Sequence, residues 1–133
     1  MASIRWAHLC ELAFLDNCGR LCVIGVTTQM AVPSLPLAVR QLMIAAHVVD
    51  VRPGDEVSFG VSIATPMGIS MAPDHADGLD VAVAGDYLLI TMRDIPLTEE
   101  GVYHVLLTVG ASAAMVLDVP VLLTSQRVHA DVH

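Results

Sequence analysis

The stretch EEGVYHVLLTVG, from Glu99 to Gly110, decides the fold. Two carboxylates and a glycine make a polar turn. Tyr103, Val105, Leu107 and Val109 then alternate with His104, Leu106 and Thr108. A period of two is the signature of a strand with one buried face. Tyr103 opens that strand with a side chain that packs as a hydrocarbon and still hydrogen-bonds through its hydroxyl. In sandwich folds such a tyrosine ties a crossing loop to the core.

The same pattern extends in both directions. Upstream, Val57, Phe59, Val61 and Ile63 share one face, and Ser58, Gly60, Ser62 and Ala64 the other, until Pro66 and Gly68 stop the run. YLLITMRDI (87–95) is apolar on both faces, as a central strand would be, and Pro96 marks its end. Downstream, GASAA turns the chain into MVLDVPVLL, where Pro120 indicates an edge or a bulge. Near the start, SIRWAHLCELAFLD and LCVIGVTTQMAV flank the turn DNCGR and read as a hairpin. Gly25 interrupts its second strand, which points to a bulge or a close approach. LAVRQLMIAAHVVDV (37–51) is compatible with strand or helix; the turn-like VRPGDEV after it favours strand. LDVAVAGD is short and edge-like, and ISMAPDHADG reads as a loop.

About eight strands at this spacing predict an all-β fold: a two-sheet antiparallel β-sandwich, with immunoglobulin-like and jelly-roll-like connectivity both open. Residues 1–124 form one domain on this reading, and 125–133 a polar C-terminal tail. The 133 residues suffice for a core without a metal or disulfide staple.

Composition narrows the function. Charged residues are 15% of the chain, against about 25% in an ordinary soluble domain, and aromatics are 4%. So apolar a surface is expected to meet another subunit or a protein partner. The net charge is -8, and the six basic residues are scattered arginines. A nucleic-acid groove or an anionic membrane surface needs converging cations, so neither partner is expected. MASIRWAHLCELAF has no basic start followed by a clean apolar run, and no apolar stretch nears the ~18 residues of a membrane helix. A cytoplasmic protein is expected. Cys10, Cys18 and Cys22 are an odd set, which fits reduced thiols better than a disulfide framework.

No stretch carries a catalytic signature. His8, Cys10 and Glu11 are close, and His8 and Cys10 share a strand face, but ~7 Å separates such neighbours and no third group orients them. Cys22 and His104 lie on other strands. Asp74, His75, Asp77 and Asp80 gather near Gly78, yet Ala76 and Leu79 intrude and no Glu closes a calcium loop. His129 and His133 are four apart with Asp131 between them, at the end of the chain. There is no Walker loop, dinucleotide fingerprint or G-x-S-x-G. No residue is therefore assigned a catalytic, cofactor-binding or metal-ligating role, and no cofactor is expected.

Three stretches carry a resemblance: HLCELAFLDNCGRLCVIGV, LPLAVRQLMIAAHV and EEGVYHVLLTVGASAAMVLDVPVLL. Glu11 after Cys10, the Gly19–Arg20–Leu21 hairpin, Gly25, Gly101, Tyr103 and Pro120 resemble a family of small, uncharacterised bacterial β-sandwich proteins. The resemblance implies the fold and no established activity. The expected function is a non-enzymatic protein–protein interaction or assembly module that self-associates. The alternative is a small-molecule-binding sandwich with a pocket between the sheets or beneath the 66–78 loop.

Overall fold

The computed structural model describes residues 2–51, 58–71, 79–110 and 113–124. They form ten strands: β1 (Ser3–Leu15), β2 (Leu21–Val26), β3 (Met30–Val32), β4 (Leu37–Val49), β5 (Phe59–Ala64), β6 (Ser70–Met71), β7 (Leu79–Ala84), β8 (Tyr87–Leu97), β9 (Gly101–Val109) and β10 (Ala113–Leu123). One sheet has the order β2-β1-β4-β8-β7 and the other β3-β10-β9-β5-β6. All pairings are antiparallel except that of β3 with β10. The all-β two-sheet sandwich expected from the sequence is thus the fold. Two of the ten strands, β3 and β6, are only three and two residues long, too short to carry a periodic signal.

The core lies between the sheets. Ile44, Leu88, Ile90 and Met92 of the first sheet and Leu107, Val109 and Val121 of the second are fully buried there. The stretch 37–49 is a strand, paired with β1 on one side and β8 on the other. β8 is central along most of its length, as its two apolar faces implied.

Pro96 does not end β8, contrary to expectation. The strand continues to Leu97, with Pro96 opposite Ala38. β7 pairs only with Tyr87 to Met92, so the proline falls where β8 has a neighbour on one side and one row of donors is dispensable. Pro120 is placed likewise. It pairs with Val102 of β9, and β3 joins β10 only from Val121 onwards.

Two irregularities were not visible in the sequence. On β4, Leu42, Ile44 and Ala46 face the core, and so do Leu37 and Val39, an odd number of residues away. On β8, Leu88, Ile90 and Met92 are followed by Ile95 and Leu97. Both strands change phase at the same level, near Arg40 and Asp94, and their register is unbroken. Asp94 takes the left-handed conformation there, at φ 52°. A slip in one strand alone would have turned its hydrophobic residues away from the core.

The acidic loop residues Asp74, His75 and Asp77, the tail 125–133 with His129 and His133, and Val57 lie outside the described residues.

Candidate functional site

The β1–β2 hairpin is the unusual part of the molecule. β1 pairs with β4 only from Ser3 to Cys10, and beyond Cys10 with β2 alone. Freed from β4, the end of the hairpin packs over the sheet's outer face. Ala13, Leu21 and Val23 pack on Cys10, Met43, Ala45 and Leu89 as a second, smaller hydrophobic cluster. Ala13, Phe14 and Leu15 share a cleft of about 360 Å³ with Asp80, Val81 and Ala84, although β4 and β8 separate β1 from β7 in the sheet.

The turn is held by Asp16. Its Oδ1 accepts the N–H groups of Cys18 and Arg20 at 2.9 Å each. Its Oδ2 accepts Arg20 Nε at 2.8 Å. The Arg20 amide leads the donors that hold this carboxyl below the usual aspartate range, with the Cys18 amide and the Arg20 guanidinium adding to it. Gly25 takes φ 70°, and a Cβ there would lie 2.8 Å from Glu11 Cγ. The close approach expected at Gly25 is therefore made by the Glu11 side chain.

Because Ala13 and Val23 face the body, their ladder neighbours face away. Leu12 pairs with Ile24, and Phe14 with Cys22. Leu12, Phe14 and Ile24 are 41%, 38% and 48% exposed. The hairpin is apolar on both faces, and among the described residues only one is covered. β2 is also the edge of its sheet, and none of its six residues is charged. Edge strands usually carry a charge or a proline that discourages pairing.

On the same outer face, Trp6, His8, His47 and Tyr87 form a cluster of rings. Trp6 lies 5.3 Å from His8, 5.9 Å from His47 and 6.1 Å from Tyr87 between ring centroids. His47 Nε2 is 4.0 Å from an oxygen of Asp86.

The structure separates the residues that could have formed a nucleophilic site. Cys10 is fully buried, and its Sγ–H donates to the Met43 carbonyl at 3.5 Å. Burial pushes its thiol up, against a smaller opposing effect of the Leu12 N–H, the reverse of what an activated thiolate requires. His8 is exposed and packs on Trp6. His104 is on the outer face of the other sheet, with Nδ1 2.6 Å from Asp118 Oδ1, so it joins neither Cys10 nor Cys22. Cys10, Cys18 and Cys22 are free thiols. Among the described residues no three His, Cys, Asp or Glu side chains converge as metal ligands.

At one end of the sandwich a cleft of about 230 Å³ lies among Val48, Leu88 and Phe59, and the cavity in the middle, lined by side chains such as Leu42, Met92, Tyr103 and Val121, is about 20 Å³. That is space for about one water molecule, while ligand pockets begin near ~300 Å³. The loop 66–78 lies outside the described residues from 72 onwards. No helix among the described residues is long and apolar enough to cross a membrane.

The sequence signalled the hairpin but not its exposed face. Leu12, Phe14 and Ile24 look like ordinary buried strand positions until β1 is seen to leave β4.

No curated protein matches the chain. Among solved structures it is similar to the crystal structure of the Ig1 domain of mouse SynCAM 2, at 15% identity and a TM-score of 0.33, over 75% of this chain and 96% of that one. A family model matches residues 5–121, and the chain therefore belongs to the family of unknown function DUF6941.

Proposed function

We propose that this protein is a non-enzymatic interaction module, with residues 1–124 as one folded unit, that self-associates through the β1–β2 hairpin. The observation that carries the reading is the uncovered apolar face of Leu12, Phe14 and Ile24 beside a charge-free edge strand. Contact through that face buries hydrophobic area at about 25 cal/mol per Å². The net charge of -8 makes two copies repel, so association must use a surface without charge, and the hairpin supplies one.

A second copy can meet the hairpin in two ways. Its hairpin can pack face to face, or its β2 can add antiparallel to this β2. In either arrangement a two-fold axis makes the contact self-complementary. The three free thiols fit a reducing compartment, and the cytoplasm is the location this reading carries.

Native mass spectrometry of the untagged chain at micromolar concentration tests the proposal. A dimer or larger oligomer without excess mass supports it. A strict monomer overturns it, and a monomer with a discrete additional mass redirects attention to a bound molecule.

A further inference from the structure

We infer that the notch between β1 and β4 receives an extended peptide segment as an added strand. β1 departs from β4 after the pair Cys10–Met43. β4 continues from Leu42 to Leu37 with β8 on one side and, among the described residues, no strand on the other. Along such an edge alternate residues turn their N–H and C=O groups outward, unused by the sheet. Six residues give about 20 Å of edge.

A cleft of about 450 Å³ opens at this place. Glu11 lines it on the β1 side and Arg40 and Gln41 on the β4 side, while Thr27 and Gln29 come from the segment that crosses between the sheets. Met30 gives it an apolar patch. Glu11 and Arg40 carry opposite charges, yet they form no ion pair with each other, and among the described residues neither has another ionic partner. Arg20 and Arg93, by contrast, are paired with Asp16 and Asp80.

These features specify the occupant. Backbone groups of the β4 edge recognise an extended chain whatever its sequence. Arg40 selects a carboxylate, and Glu11 selects a lysine, an arginine or a chain amino terminus. The carboxamides of Gln29 and Gln41 offer both donors and acceptors. The acidity of the whole chain disfavours a segment with net negative charge. The occupant is therefore a neutral or basic peptide strand that carries one acidic group and at least one cationic group.

The site is distinct from the apolar hairpin face, and the two are tested separately. A phage-displayed library of random dodecapeptides is panned on the immobilised full chain, and enriched peptides are synthesised and titrated. The expected peptides contain an acidic and a basic residue. Arg40→Ala or Glu11→Gln should weaken them tenfold or more. Backbone amides within 37–42 should gain protection from hydrogen exchange when peptide is bound. The proposal is overturned if no peptide is enriched, or if both variants bind as wild type. Protection that maps to Leu21–Val26 overturns it too, because the peptide would then occupy the β2 edge. Native mass spectrometry of Arg40→Ala should give the same oligomer as wild type. Loss of the oligomer would mean that a second copy fills the notch, which also overturns the proposal.

Discussion

The Tyr103 hydroxyl donates to the Glu99 carbonyl at 3.0 Å and accepts the N–H groups of Thr98 and Glu99 at 3.0 and 3.2 Å. One side chain thus serves three backbone groups of the crossing between the two sheets, while its ring is 2% exposed in the core. Tyr103→Phe keeps the ring and leaves those groups without their partner. It should lower stability by about 1–3 kcal/mol in urea denaturation. An unchanged midpoint would mean that water replaces the hydroxyl at no cost.

Gly101 and Gly19 both have positive φ, 134° and 78°. A Cβ on Gly101 would lie 2.7 Å from Pro66 Cβ, whereas Gly19 faces open space. Gly19→Ala should cost about 1–2 kcal/mol for its backbone conformation. Gly101→Ala should cost more, because Pro66 must also move. Thermal melts of the two variants side by side check the order.

Burial raises the Cys10 thiol above the ordinary cysteine range. The folded state therefore holds this proton to higher pH than the unfolded chain does. The stabilising contribution is complete below the unfolded value and declines as pH rises through the folded one. In the native protein, iodoacetamide at mildly alkaline pH should modify Cys18 first and Cys10 only after unfolding. Peptide mapping reads this directly. Native labelling of Cys10 at the rate of Cys18 would mean that the hairpin opens freely.

Asp16 works in the opposite direction. Its carboxyl is lowered from 3.8 by the amides and guanidinium it accepts. That contribution is present above the unfolded value and disappears as pH falls through the folded one. Asp16→Asn should flatten the acid limb of the stability curve, measured by urea midpoints from pH 5 downwards.

Ile24 is 48% exposed on the free face of the hairpin. Ile24→Asp should dissociate the proposed oligomer and shift the melting temperature by only a few degrees. Sedimentation velocity and circular dichroism separate the two effects. An oligomer that survives the charge is assembled through another surface.

Strand existence was legible because Tyr103 to Val109 and Phe59 to Ala64 each present a dry and a wetter face. The β4 stretch was harder. Its phase slip near Arg40 breaks the alternation, and Met43 and Ala45 are buried on the outer face as well. A strand covered on both faces has no polar side to display. The proposed interaction surface was not legible residue by residue. The low charge content announced an uncovered apolar area, but its location depends on where β1 parts from β4, a tertiary event with no local signature. The notch has the same origin, since Glu11 and Arg40 meet only through that departure.

The single tryptophan of the chain, Trp6, lies outside the inter-sheet core, among His8, His47 and Tyr87. Its fluorescence is therefore an optical gauge of the outer face and the hairpin end packed over it, blind to the packing around Ile90 and Leu107. An emission trace that runs ahead of the far-ultraviolet ellipticity during denaturation would reveal the hairpin lifting while the sandwich beneath it still holds.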